Sequence, residues 1–240
     1  MKKLMLILAI CLSVNILLAQ TTTKTVKLNE KSIVKNENGE IYPYVIWQKL
    51  LETGQYGMKR LNSEEDIEFL LYRMTDEQIA ANKKRKTEYA TTMPKPRPSE
   101  VFKDGEKFRF DKMKDLNGIK YDFKKDTGKV VVFNFWFINC PPCKKEIPEL
   151  NDLVAKYKEN KNVVFIAIAL DNDYALSNFL KLSPFNYNII PDGRFYSEKY
   201  GIKGYPTHVV VGKDGLVKFS TIGLATNTVY WVDKTIQEQL

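Results

Sequence analysis

Between Val130 and Leu150 the chain reads VVVFNFWFINCPPCKKEIPEL, and few folds accept that order. The opening run is continuous, apolar, and rich in β-branched and aromatic residues, the pattern of a strand buried on both faces. It breaks at Asn139-Cys140-Pro141-Pro142-Cys143. Beyond the break, charges at Lys144, Lys145 and Glu146 alternate with Ile147, Leu150, Leu153 and Val154 at helical spacing. Two cysteines therefore sit where a strand ends and a helix begins.

The first turn of a helix has unpaired backbone N–H groups and partial positive charge. A thiolate placed there is stabilised and becomes a better nucleophile near neutral pH. Proline is tolerated in the same turn, because the N–H it lacks has no helical partner. Cys140 is expected to be the exposed attacking sulfur. Cys143, further into the helix, is expected to be shielded and to resolve a mixed disulfide. A purely structural bridge explains the pair less well. Closing so short a loop stabilises by about 2 kcal/mol, against nearly 5 for a loop of about 100 residues. Metal binding is also a poor fit. A closed zinc site takes four ligands, and beyond the first twenty residues the chain has only these two cysteines and His208.

Phe135-Trp136, Cys-x-x-Cys and Pro148, five residues after the second cysteine, together resemble the thioredoxin superfamily. Cys-Pro-Pro-Cys-Lys-Lys-Glu with Asn134 in the preceding strand is similar to its TlpA/ResA-like branch, relatives of the AhpC/TSA proteins. The resemblance covers about residues 100–240. It implies an α/β, thioredoxin-like fold, a central mixed sheet flanked by helices, with an added N-terminal β-hairpin. It implies a proline facing the cysteines in a cis peptide. Pro206, in Gly204-Tyr205-Pro206-Thr207, matches that position, and the Tyr205 backbone is then free to pair with an extended substrate segment. Trp136 is placed with Tyr205 and Pro206 at the substrate-binding surface. The branch has a glutamate three residues after the second cysteine, and Glu146 stands there. At that spacing it shares a helix side with Cys143 and is expected to act as acid and base. The catalytic set is thus Cys140, Cys143 and Glu146, with no cofactor beyond the redox-active disulfide. Two departures stand out: Asn139 replaces the tryptophan usual before the first cysteine, and Pro-Pro replaces Gly-Pro between the two.

The implied activity is thiol–disulfide exchange with disulfide-containing protein substrates, as a reductase fed by a membrane electron donor of the thiol-reducing type. Apocytochrome c and other periplasmic proteins are the implied substrates. A monomer is expected. A peroxiredoxin-like peroxidase is the rival enzyme, although Phe137 stands where that family has threonine. A redox-inactive binding module is the rival of another class.

The rest of the chain is read in order. Lys2 and Lys3 precede an apolar stretch from Leu4 to Ala19, which fits a signal peptide over residues 1–19 and an exported or periplasmic protein. An uncleaved anchor and lipidation at Cys11 are the alternatives. An exported chain left with a single cysteine pair has no spare thiol to mispair. Residues 20–92 read as a small, mainly helical appendage. Tyr44–Leu51 is expected to be one helix, packing Trp47 or Tyr44 onto the main domain. Ser63-Glu64-Glu65-Asp66 is expected to cap another, with Ile67, Leu70, Leu71 and Met74 along one face. Thr75-Asp76-Glu77-Gln78 reads as a capping box opening a charged helix to about Tyr89.

Net charge is +8, and Lys83-Lys84-Arg85-Lys86 is its one cluster. A solvated helix face explains it better than nucleic acid, so no nucleic-acid partner is expected. Residues 93–99, MPKPRPS, read as a semi-rigid linker ahead of the thioredoxin-like domain at 100–240. Asn117-Gly118 marks a hairpin turn between Lys107–Asp111 and Ile119–Phe123. Strands are expected at Val163–Leu170, His208–Val211 and Leu216–Ile222, and a short strand or extended insert at Tyr187–Ile190. Helices are expected at Asp171–Leu182, Phe195–Tyr200 and Asn227–Leu240.

Overall fold

The N-terminal region builds a small sheet. The computed structural model describes residues 28–61 and 68–240. The expected signal peptide, Cys11 and the Ser63–Ile67 cap lie outside those residues. Strand β1 (Ile33–Lys35) leads to helix α1 (Tyr44–Glu52), then to strands β2 (Tyr56–Leu61) and β3 (Glu68–Arg73). β3 is central, parallel to β1 and antiparallel to β2. The appendage thus carries a three-stranded sheet beside its helices, and Leu70 and Leu71 belong to a strand rather than to a helix. Glu68-Phe-Leu-Leu-Tyr-Arg73 suits either period, but burial follows period two, with Phe69 and Leu71 inward. Trp47 is also corrected. It packs edge-on to Tyr44 at 5.0 Å inside a core shared with Val34, Phe69 and Leu71, so it serves the appendage itself.

Helix α2 (Asp76–Thr92) opens with the expected capping box. Thr75 Oγ1 accepts the Gln78 N–H at 3.3 Å, and the Gln78 side chain accepts the Thr75 N–H at 3.0 Å. The basic run on this helix has partners: Lys83 pairs with Asp152 and Lys86 with Glu149. Residues 93–99 lie along the main domain rather than free of it. The Pro94 carbonyl accepts from Asn227, and the Arg97 carbonyl accepts from the Ile222 N–H and the Thr221 hydroxyl.

Strands β4 (Met113–Lys114) and β5 (Lys120–Tyr121) form the hairpin. Gly118 at φ 82° supplies the left-handed turn residue. Asp115 accepts the N–H groups of Asn117 and Ile119 and the Tyr121 hydroxyl. The strands are shorter than expected, and Lys107–Asp111 is not one of them. Its aromatics pack instead: Phe108 stacks on Phe133 at 4.8 Å.

The main sheet follows the expected order. Strand β6 (Val130–Trp136), helix α3 (Pro141–Lys156), strand β7 (Val163–Ala169), helix α4 (Asp173–Leu182) and strand β8 (Asn188–Ile190) come first. Helix α5 (Arg194–Tyr200), strands β9 (Thr207–Val211) and β10 (Val217–Ile222), and helix α6 (Thr228–Gln239) complete it. The order across the sheet is β10-β9-β6-β7-β8; β6, β7 and β8 run parallel, and β9 runs antiparallel to β6 and β10. Every residue of β6 is buried, as a central strand covered on both faces requires. Val130, Val132 and Trp136 enter one core with residues of α3 and α6; Val131, Phe133 and Phe135 enter another, largely aromatic.

Candidate active site

Cys140 is the N-cap residue of α3 and is disulfide-bonded to Cys143, with their Cα atoms 5.3 Å apart. Pro141 and Pro142 fill the next two positions and bring no N–H groups. The Cys143 N–H donates to Cys140 Sγ at 3.2 Å, and the Lys144 N–H donates to the Cys140 carbonyl. The first turn therefore offers the sulfur one backbone donor where a non-proline pair would offer more. Pro148, inside the helix, leaves the Lys144 carbonyl without its usual N–H partner.

The expected contrast between an exposed Cys140 and a shielded Cys143 is absent in the disulfide-bonded form. Both are 2% exposed, because both lie in the apolar core below the loop. The loop itself is anchored: Asp171, just past β7, accepts the Ile138 N–H at 2.7 Å. Sequence reasoning did not single out Asp171. Its one signal was an acid directly after a strand parallel to β6.

Tyr205–Pro206 is a cis peptide. Phe135 pairs with Thr207, so Pro206 lies beside the end of β6 from which the cysteine loop departs. The Phe137 and Tyr205 rings meet edge to face at 5.3 Å. Trp136 does not join them. It is 1% exposed and packs against Phe179 at 5.7 Å and Phe185 at 5.3 Å, so it cannot touch a bound substrate. As an even-numbered residue of β6 it points under α3 rather than toward the mouth of the site.

Below the disulfide, polar groups meet inside an apolar core. Glu146, 4% exposed, projects from α3 one turn beyond Cys143. Its Oε1 accepts from Asn134 Nδ2 at 3.0 Å and lies 2.8 Å from His208 Nε2. Asn134 on β6 and His208 on β9 are cross-strand partners. Glu146 Oε2 is buried with no hydrogen-bond partner among the described residues. Tyr187 is also buried, and burial, followed by the nearby Glu146 charge, pushes its phenol well above the usual tyrosine range. His208 is the residue that sequence reasoning set aside. The signal available was one histidine in an otherwise apolar strand, facing the same way as Asn134.

The sequence model of the AhpC/TSA family matches residues 105–220. The thiol-disulfide oxidoreductase ResA of Bacillus thuringiensis (strain Al Hakam) is 38% identical over 133 residues, 52% of this chain and 76% of that protein. The chain belongs to the ResA-like thiol–disulfide oxidoreductases of the thioredoxin superfamily. A candidate thiol:disulfide interchange protein DsbE from Chlorobium tepidum has a similar solved structure, with a TM-score of 0.51 and 26% identity, over 57% of this chain and 98% of that one. A candidate protein disulfide isomerase from Bacteroides thetaiotaomicron matches with a TM-score of 0.54 over 60% of this chain and 94% of that one. At 21% identity that match speaks for the shared fold alone. The family match includes Cys140, Cys143, Glu146 and Pro206. The sheet of residues 28–92 lies outside the family match. Among the described residues, no helix is long and apolar enough to cross a membrane.

Proposed function

We propose that this enzyme reduces disulfides of exported proteins, with Cys140 as attacking thiol, Cys143 as resolving thiol and Glu146 as the proton acceptor for Cys143. In the first step the Cys140 thiolate attacks a substrate disulfide. An S–S bond forms between Cys140 and the substrate, and one substrate sulfur leaves as thiolate. Cys143 then gives its proton to Glu146 and attacks Cys140 Sγ. The second substrate sulfur leaves with the electron pair, and the Cys140–Cys143 disulfide remains. A membrane thiol donor returns the pair to the reduced state.

The observation that carries this reading is a helix-capping disulfide with a buried carboxyl group one turn inward, one of whose oxygens has no partner among the described residues. The cis-Pro206 segment supports the substrate side. No backbone hydrogen bond engages the Tyr205 N–H or C=O among the described residues, and its strand lies beside the cysteine loop. Export is supported by the Lys-led apolar stretch at residues 4–19. Cytochrome c maturation is the setting that fits a reductase of this branch. Reduction of insulin by the purified protein under dithiothreitol tests the activity, and loss of both turnover and Cys140 reactivity in Cys140→Ser is expected. The reduction potential tests the direction. A value near about −120 mV, that of a strong oxidant, overturns the reductase assignment.

A further inference from the structure

His208 is tied to Glu146 by a bond that the family resemblance did not call for. Its ring is fully buried, with Nε2 at 2.8 Å from Glu146 Oε1. Asn134 Nδ2 lies 3.0 Å from the same oxygen and 3.3 Å from each ring nitrogen. An amide nitrogen only donates, and a carboxylate only accepts. One arrangement makes both contacts to Oε1 donations, while Asn134 Oδ1 and Glu146 Oε2 stay without a partner among the described residues. Asn134 donates one hydrogen to Glu146, its Nδ2 lies equally close to both ring nitrogens, and Nε2–H donates to Glu146. The ring is then a donor through Nε2. A proton added at Nδ1 would set two donors against each other.

From this geometry we infer that His208 is a positioning residue. With Asn134 it holds Oε1 and steadies the carboxylate form of Glu146, leaving Oε2 as the face that receives the Cys143 proton. This rests on the role proposed for Glu146. Around Glu146 lie Asn134 from β6, His208 from β9 and Tyr187 just ahead of β8, and Cys143 stands three residues back on its own helix. Asn134 does not titrate, and Tyr187 stays protonated through the neutral range. A charge-assisted bond from Nε2–H favours the ionised carboxylate. Without it, the carboxylate form has one donor fewer to hold it in place for the Cys143 proton. The resolving step should then fail at a higher pH.

Reduced protein mixed with Ellman's reagent separates the steps. The first thionitrobenzoate release reports attack by Cys140, and the second reports attack by Cys143. In His208→Leu the acid limb of the second-release rate is expected to move up by about one pH unit, with that step slowed about tenfold relative to the first release near pH 6. His208→Gln keeps an N–H donor without a titrating ring and is expected to restore the wild-type limb. A His208→Leu profile that overlays wild type overturns the inference. So does a displaced limb in His208→Gln, which would make the ring itself the titrating group; that variant carries the test alone if His208→Leu does not fold. Wild-type protein with no second release sinks the proposed function, whereas two normal releases with an unmoved His208→Leu limb sink only the role of His208.

Discussion

The sheet of residues 28–92 and the sheet of residues 101–240 differ most in what their cores can hold. The first closes over four buried apolar side chains, Val34, Trp47, Phe69 and Leu71. The second has an apolar core on each face and still admits Asn134, Glu146 and His208 at 4% exposure or less. A carboxyl group buried in an apolar core needs hydrogen-bond donors beside it. The larger sheet supplies both, the depth from α3 and α6 and the donors from facing positions on β6 and β9. The smaller sheet buries no ionisable side chain among the described residues. Chemistry belongs to one region, and the other is attached to it by ion pairs with exposed side chains, Lys83–Asp152 and Lys86–Glu149.

That division can be broken experimentally. The largest expected effect is in Cys140→Ser, which should lose both thionitrobenzoate releases, whereas Cys143→Ser should keep the first and accumulate a mixed disulfide visible by mass spectrometry. A trapped adduct on Cys143 in Cys140→Ser would reverse the two roles. Next is Trp47→Ala. Truncating a buried aromatic costs about 3–5 kcal/mol, more than a core of four side chains can absorb. Limited proteolysis should clip residues 28–92 while the exchange rate per remaining molecule stays within about twofold of wild type. A matching collapse of exchange would tie the two regions together. Glu146→Gln comes third, slowing the second release about 100-fold and leaving the first in place. An equal slowing of both would point to lost packing rather than a lost base.

Smaller effects sharpen the contrast through pH and salt. Burial raises the phenols of Tyr121, Tyr157, Tyr187 and Tyr200 above the ordinary value, with nearby carboxylates adding to the shift. These residues stay neutral in the folded chain after they would ionise in the unfolded one. Their contribution is full below about pH 10, the unfolded value, and is lost as pH rises beyond it. Urea midpoints of the main domain should therefore fall between pH 9 and 11, less steeply in Tyr187→Phe. A flat profile would mean that these phenols ionise freely. The smallest effect is expected from Lys83→Ala with Lys86→Ala, under about 1 kcal/mol and vanishing at high salt, because the side chains of both pairs are largely exposed.

Much of the larger sheet was legible because its signals agree. A continuous apolar run, a cysteine pair at the strand-to-helix junction and a second apolar run at Val163 leave one βαβ reading. The smaller sheet was less legible. Glu68–Arg73 fits period two as well as a helical face, and the deciding information is its pairing with β2, a contact at a distance in sequence. At the site, Glu146 could be placed because its spacing from Cys143 is local to one helix. His208 could not, since its partner lies 62 residues away. Trp136 was misplaced for the opposite reason. Adjacency to the cysteine loop suggested the surface, but strand alternation sends it into the core.

The run from Arg97 to Glu106 has a bearing on solubility. β10 is the outermost strand on its side of the sheet, and such an edge is an open invitation to a second chain. Here the Ile222 N–H donates to the Arg97 carbonyl, the Ser220 hydroxyl to the Phe102 carbonyl, and the Val217 N–H to the Glu106 carbonyl. The segment from Arg97 to Glu106 thus works as a selvedge along the border from Ile222 to Val217, which would otherwise recruit neighbours. A shortened chain starting at residue 94 keeps that hem, and one starting at residue 107 would be frayed and prone to sticking to itself.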